Sequence, residues 1–285
     1  MQLLHDVAQW RAYCAGQRAS GARVGLVPTM GALHAGHAAL FDAAKARGDL
    51  VVATLFVNPR QFNDANDLTR YPRSLDEDRV LASAHGVDCL IEPSLAEMWP
   101  DFPNATATTV SVRGIGEHYE GASRPGHFDG VTSVVAKLFT ITGPCRAYFG
   151  EKDFQQLAMV RQMVRDLAFD VDIVGCRIVR DGDGLALSSR NTRLGPDGRR
   201  RALALSRALN DVGSSPARAS TLRRRLGALL DEAQLDVVYA DIVNPVTFEP
   251  SRDDESGEAR ALIAATVDGV RLIDNGPVNV EREEH

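Results

Sequence analysis

The run LVVATLFVN, residues 50–58, is nearly continuous in apolar side chains. A strand with one face in water alternates apolar and polar residues, so a run like this one belongs to a strand covered on both faces, the habit of a parallel sheet. From residue 23 to about 178, further short apolar runs follow the same habit: RVGLV (23–27), CLIEP (89–93), RAYFG (146–150) and VDIVGCRIV (171–179). Helical patterns lie between them, notably VTSVVAKLFTIT (131–142) and FQQLAMVRQMVRDLAF (154–169). In the second, Leu157, Val160, Val164, Leu167 and Ala168 share one face. Strands alternating with helices predict an α/β fold with a doubly wound parallel sheet over residues 1–180.

After SSRNTRLGPDG the texture changes to Arg- and Ala-rich helical patterns, which run from about 197 to 234. DVVYADIV (236–243) and the two runs within 261–273 then read as strands, the latter joined by a two-residue turn at Asp268-Gly269. Residues 181–285 are therefore expected to form a smaller C-terminal α+β domain, ending in a frayed EREEH tail. The chain has 285 residues, enough for one large domain or two.

The formal net charge is −6, so no global basic field draws nucleic acid or an anionic membrane, and any bound anion has to be held locally. The Arg199–Arg201 and Arg223–Arg225 runs do not change this, because three consecutive helical residues point in different directions. Cys14, Cys89, Cys145 and Cys176 form no C-x-x-C pair and read as reduced, mostly buried thiols. The first residues lack the positive leader of a signal peptide, and no apolar run approaches the roughly 20 residues of a membrane span. A cytoplasmic location is the expectation.

PTMGALHAGH (28–37) lies where an apolar strand turns into a helix. In an open α/β sheet, ligands bind beyond the carboxyl ends of the strands, and a helix N-terminus offers unpaired N–H groups to an anion. Gly36 permits close approach, and His34 and His37, three apart, are expected on the same side of the first turn, within reach of one anion. A lone loop histidine is ordinarily structural; two in H-x-G-H at such a turn point to phosphate chemistry.

The H-x-G-H loop after a strand resembles that of the nucleotidyltransferase superfamily, and the longer string resembles the pantoate–β-alanine ligase family in particular. FVNPRQF (56–62), YPR (71–73), RPGHFDGV (124–131), FGEKDFQQL (149–157), DGLALSSRN (183–191) and RLIDN (271–275) agree with that family in order along nearly the whole chain. The resemblance implies a Rossmann-like fold with a C-terminal lid, and a cytoplasmic homodimer whose substrates are pantoate, β-alanine and ATP with Mg²⁺. It implies activation of pantoate as an adenylate with loss of pyrophosphate, then amide formation with β-alanine and release of AMP. By the same resemblance, ATP is held by Pro28, Thr29, Met30, Gly31, His34, His37, Gly150, Lys152, Asp153, Val179, Leu187, Ser188, Ser189 and Arg190. Pantoate and β-alanine are assigned to Asn58, Gln61, Gln156, Arg124 and His127, and the metal to Asp78.

The residue types suit that chemistry. Adenylate formation places charge on the α-phosphate and the leaving pyrophosphate, so it needs preorganised donors, which His34, His37 and Lys152 supply as the catalytic set. Ser188, Ser189 and Arg190 add two hydroxyls and a planar fork, although Ser-Ser-Arg is equally the start of a capped turn. The neutral amides of Gln61 and Gln156 orient an attacking carboxylate without quenching it, whereas a Gln elsewhere is an ordinary polar-face residue. Asn58 before Pro59 is otherwise a turn residue, and the acidic run Asp76-Glu77-Asp78 is otherwise a helix cap. The β-alanine amine has to be uncharged in the second step, by desolvation or by a base. Rival readings are a nucleotidyltransferase that makes a dinucleotide and a nucleotide sensor without chemistry.

Overall fold

The computed structural model describes residues 1–282; Glu283 to His285, part of the expected frayed tail, lie outside the described residues. The chain divides into two compact units. The first holds Met1–Glu151 and Gln155–Arg177, and the second holds Lys152–Phe154 and the chain from Ile178 on.

The first unit contains strands β1 (Gln2–Leu4), β2 (Val24–Thr29), β3 (Leu50–Leu55), β4 (Cys89–Ile91), β5 (Cys145–Gly150) and β6 (Val171–Cys176). Between them run helices α1 (Val7–Ala19), α2 (Ala35–Ala46), α3 (Ala65–Thr69), α4 (Leu75–Ala84), α5 (Leu95–Met98), α6 (Tyr119–Ser123), α7 (His127–Thr142) and α8 (Phe154–Asp166). All strand pairs are parallel, in the order β1-β4-β3-β2-β5-β6. The doubly wound sheet expected from the alternation is therefore what the chain forms. Val51, Val52 and Ala53 of β3 are all fully buried, which is why that run carries no alternation. On one side of the sheet, Leu40, Phe41 and Ala44 of α2 pack with Val27, Val51, Ala53 and Leu90. Burial of a side chain such as Phe41 contributes about 1.5–3 kcal/mol.

From β2 the chain moves to β3 on one side, and it later returns to place β5 on the other. The carboxyl end of β2 is thus the switch point of the sheet, where a crevice opens in this architecture. PTMGALHAGH leaves from that point.

The structure differs from the periodicity in several places. β1 was not expected, because three residues are too few to show a period and an edge strand needs only backbone pairing to β4. β6 ends at Cys176 rather than Val179, because Val179 belongs to a hairpin in which its carbonyl accepts from Leu187 N–H at 3.0 Å. The pattern over 197–234 is two helices, α9 (Pro196–Gly213) and α10 (Ala219–Glu232), divided at Ser214-Ser215-Pro216. The last two strands are also longer than expected, because Asn275, Gly276 and Pro277 disguise the second one.

In the second unit β7 (Asp236–Val243), β8 (Gly257–Val267) and β9 (Val270–Val280) form an antiparallel sheet in that order. Asp268 and Gly269, both at positive φ, make the predicted hairpin turn. Leu205, Leu209 and Val212 of α9 and Leu222, Leu226 and Leu230 of α10 close a core against Ile263, Ala265, Leu272 and Val278. The arginine runs are dispersed among separate acids: Arg199 pairs with Asp181 and Asp183, Arg200 with Asp197, Arg201 with Asp268, Arg223 with Asp241 and Arg225 with Asp211. Among the described residues no helix is long and apolar enough to cross a membrane.

Candidate active site

The loop after β2 is built around its two histidines. His34 has extended backbone and caps α2, its Nδ1 accepting from Gly36 N–H at 3.1 Å. His37, in the first turn, returns the cap: its Nδ1 accepts from His34 N–H at 3.2 Å. This reciprocal arrangement satisfies two of the N–H groups that a helix start leaves without intrahelical partners, a task more often given to Ser and Glu. It also brings the rings together, 4.2 Å between centroids, as their spacing predicted. A neutral imidazole whose Nδ1 accepts carries its proton on Nε2, so each ring is set up as an Nε2–H donor.

The preceding turn is organised by Asp78. Gly31 and Ala32 both have positive φ, so successive backbone N–H groups converge on one point. The Asp78 carboxylate occupies it, accepting from Ala32 N–H at 2.9 Å and Leu33 N–H at 2.7 Å, with Ser74 Oγ donating at 3.2 Å. A Cβ on Gly31 would meet this carboxylate at 2.9 Å. Thr29 completes the turn: its hydroxyl donates to Thr54 O at 2.6 Å and accepts from Gly31 N–H at 3.3 Å. Asp78 is the residue to which the resemblance gives the metal. The side chain is only 2% exposed, both of its oxygens are committed to the loop, and its geometry is that of a backbone anchor. Among the described residues no cluster of three His, Cys, Asp or Glu side chains is arranged to hold a metal.

Gln61 is the centre of a second cluster in the first unit. Asn58, 1% exposed, donates through Nδ2 to Gln61 Oε1 and to Gly130 O, both at 3.0 Å, and its Oδ1 accepts from Trp99 Nε1 at 3.0 Å. Every polar atom of Asn58 is thereby used within the protein, and its effect is to orient Gln61. With Oε1 taken, Gln61 presents its amide N–H groups, which suit a carboxylate. The Gln61 backbone is fixed as well. His127 Nδ1–H donates to Gln61 O at 2.7 Å, Arg124 Nη2 donates to the same carbonyl at 3.4 Å, and Arg124 Nη1 donates to His127 Nε2 at 3.0 Å. Arg124 and His127 thus hold Gln61 through its carbonyl. Gly130 permits the packing, since a Cβ there would lie 2.2 Å from Arg60 O. Gln156 lies on α8, half-buried.

The second unit carries the remaining expected ATP residues apart from Gly150, which ends β5 in the first. Lys152 and Asp153 occupy a 3₁₀ turn, Glu151–Asp153, with Lys152 Nζ 3.9 Å from Asp153 Oδ1. Val179 and Leu187 pair across a hairpin whose turn is closed by Gly184 N–H to Asp181 O at 2.9 Å. Arg199 braces that turn through both aspartates, and its hydrogen bonds hold the Asp183 carboxyl below the ordinary range. Ser188 then caps a 3₁₀ turn, Ser189–Arg193, its Oγ accepting from Arg190 N–H at 3.3 Å. The capped-turn alternative for Ser-Ser-Arg therefore describes the local structure, and the Ser188 O–H is still able to donate.

Trp99, Gly130 and Gln155 were not found by sequence reasoning. Gln155 is buried and spans Glu120 N–H, Ile115 O and His118 O at 2.7–3.1 Å, holding the 115–120 segment to α8. Its only sequence signal was its place beside Gln156 in FQQL. Trp99 and Gly130 act on partners 41 and 72 residues away, which no local pattern reveals.

Comparison with known proteins agrees with the resemblance. The family model described as Pantoate-beta-alanine ligase matches residues 2–277. The chain is 48% identical to the pantothenate synthetase of Anaeromyxobacter dehalogenans over 285 residues, covering 96% of this chain and 98% of that protein. The crystal structure of pantothenate synthetase from Thermus thermophilus is similar with a TM-score of 0.88 and 44% identity, covering 97% and 99% of the two chains. That of pantoate-beta-alanine ligase from Francisella tularensis, complexed with beta-gamma ATP and beta-alanine, is similar with a TM-score of 0.80 and 32% identity over 97% of each chain.

Proposed function

The chain belongs to the pantoate-beta-alanine ligase family, and from that premise we propose that it joins pantoate to β-alanine through a pantoyl adenylate formed from ATP. The observation that carries this reading is the reciprocal cap of His34 and His37, which sets two Nε2–H donors side by side at the switch point of the sheet. In the reaction they donate to the α- and β-phosphates, where charge grows as the pantoate carboxylate attacks phosphorus and pyrophosphate leaves. Lys152 supplies a point charge to the same phosphates, and Ser188, Ser189 and Arg190 supply hydroxyl and guanidinium donors. Pro28 to Gly31, Gly150, Asp153, Val179 and Leu187 are the further nucleotide-binding residues in this reading.

Gln61 takes the pantoate carboxylate with its N–H groups, helped by Gln156. Asn58, Arg124 and His127 act by holding Gln61 in place. A neutral amide pair suits a small hydroxy acid and gives a nucleotide phosphate no cationic partner, which favours this reading over a dinucleotide-forming transferase. Mg²⁺ enters with ATP, ligated by phosphate oxygens and water, since Asp78 does not fit as its ligand. The protein is further proposed to act in the cytoplasm as a homodimer, tested by light scattering for twice the chain mass.

The test of the reaction is exchange of labelled pyrophosphate into ATP with pantoate present and β-alanine absent. Pantoate-dependent exchange is the expected result. ATP binding without exchange would leave a nucleotide sensor, and exchange driven by a mononucleotide in place of pantoate would favour the rival transferase.

A further inference from the structure

The RLIDN stretch matched the family in sequence but has no part in the site described above. Its last two residues, Asp274 and Asn275 on β9, are each 3% exposed, and as neighbours on a strand they face opposite sides of the sheet. Asp274 takes the guanidinium of Arg180 in a two-pronged pair at 2.7 and 3.0 Å, and Arg180 also donates to Gly184 O at 3.2 Å. That side of β9 therefore steadies the hairpin that leads to Leu187–Arg190.

On the other side Asn275 Nδ2 donates to the backbone carbonyl of Lys152 at 2.9 Å. Arg260 of β8 donates through Nε to Asn275 Oδ1 at 2.8 Å, and its guanidinium carbon lies 4.1 Å from the centre of the Phe154 ring. Phe154 in turn packs against Phe248, with ring centres 5.8 Å apart. The orientation of the Asn275 amide is forced from both ends. Arginine has no acceptor, so Arg260 takes the oxygen; a carbonyl has no donor, so Lys152 O takes the N–H. The 152–154 segment interrupts the first unit in sequence, between Glu151 and Gln155, yet it groups with the second unit.

We infer that Asn275, oriented by Arg260, is a positioning residue for Lys152, fixing its backbone so that the flexible ammonium is delivered to one place. This rests on the reading that Lys152 acts on the phosphates of ATP. A lysine has four rotatable carbons beyond Cα, so an unanchored backbone would spread the charge over a larger volume, and misplacement on the order of 1 Å costs on the order of 10²-fold in rate.

The test compares the full-length wild type with Asn275→Ala, Asn275→Asp, Lys152→Ala and the double variant Lys152→Ala/Asn275→Ala. Each is measured for kcat and KM in pantoate-dependent pyrophosphate exchange, for ATP affinity by calorimetry and for Tm. Asn275→Asp keeps the volume and sets a carboxylate oxygen against the Lys152 carbonyl. It is expected to lower kcat/KM for ATP by about 10-fold or more, and by more than Asn275→Ala does, with KM for pantoate unchanged. In the Lys152→Ala background, removal of the Asn275 side chain is expected to change ATP affinity less than about 2-fold, because coupled residues are non-additive. Additive losses, or a fall in Tm while the folded fraction binds and turns over ATP as the wild type does, would overturn the inference. Lys152→Ala with wild-type kinetics would instead remove the Lys152 reading itself; an impaired Lys152→Ala beside unimpaired Asn275 variants would remove the positioning role alone.

Discussion

His34 and His37 each hold one cap hydrogen bond and, in the proposed reaction, one phosphate donor, and substitution separates the two roles. Asn is a good cap residue and His34→Asn keeps an acceptor near Gly36 N–H, so its Tm is expected within a few degrees of the wild type while exchange falls. His37→Ala removes the acceptor for His34 N–H at a cost of about 1 kcal/mol and is expected to lower exchange by about 100-fold or more. Wild-type exchange in either folded variant would count against the pair. Gln61→Glu tests the other cluster. One carboxylate oxygen can accept from Asn58 as Oε1 does, and the second stands where the N–H groups were, facing the substrate carboxylate. KM for pantoate is expected to rise about 100-fold with ATP affinity unchanged; an equal change in both would place Gln61 elsewhere in the reaction. The histidine pair was legible in sequence because both members lie on one turn. The parts played by Asn58, Arg124 and His127 were not, because they depend on which atom of Gln61 each one meets, and Arg124 and His127 meet a carbonyl 63 and 66 residues away.

At the scale of elements, the turn after β2 and the start of α4 form one device. The turn needs positive φ at Gly31 and Ala32, and a non-glycine residue held there costs about 1–2 kcal/mol. Asp78 offsets that cost by taking two N–H groups at once. Asp78→Asn substitutes a donor for one acceptor and leaves an amide of the turn unsatisfied. A loss of about 1–3 kcal/mol in denaturant unfolding is expected, together with weaker ATP binding from a loosened histidine loop. Lost ATP-dependent exchange with stability intact would return Asp78 to the metal. An acidic residue in the first turn of a helix has the same appearance in sequence whether it caps, binds a cation or anchors another loop. Only the approach of the β2 turn to α4 separates those cases.

At the scale of the molecule, Cys14, Cys89, Cys145 and Cys176 all lie in the first unit, and the first three are buried. Burial pushes the Cys14 thiol up to about 11 and those of Cys89 and Cys145 up to about 12, and it raises Cys176 as well. The nucleophilic thiolate is thereby scarce at neutral pH, so Cys14, Cys89 and Cys145 are expected to react with a thiol reagent only as the first unit unfolds, with the partly exposed Cys176 reacting ahead of them. Fast labelling of a buried cysteine without loss of structure would contradict that packing. The sequence by itself determined the class of the sheet, the strand-to-helix loop with its histidines, the family, and the hairpin at Asp268-Gly269. Each of these is written in period, spacing or turn chemistry within a few residues. Only the tertiary structure decided that Asp78 anchors backbone, that Asn58 turns Gln61 outward, and that Lys152 groups with the second unit through Asn275. Those depend on hydrogen bonds between groups far apart in the chain, Asp78 with the β2 turn, Asn58 with Trp99 and Gly130, and Asn275 with Lys152, and packing alone settles which donor meets which acceptor.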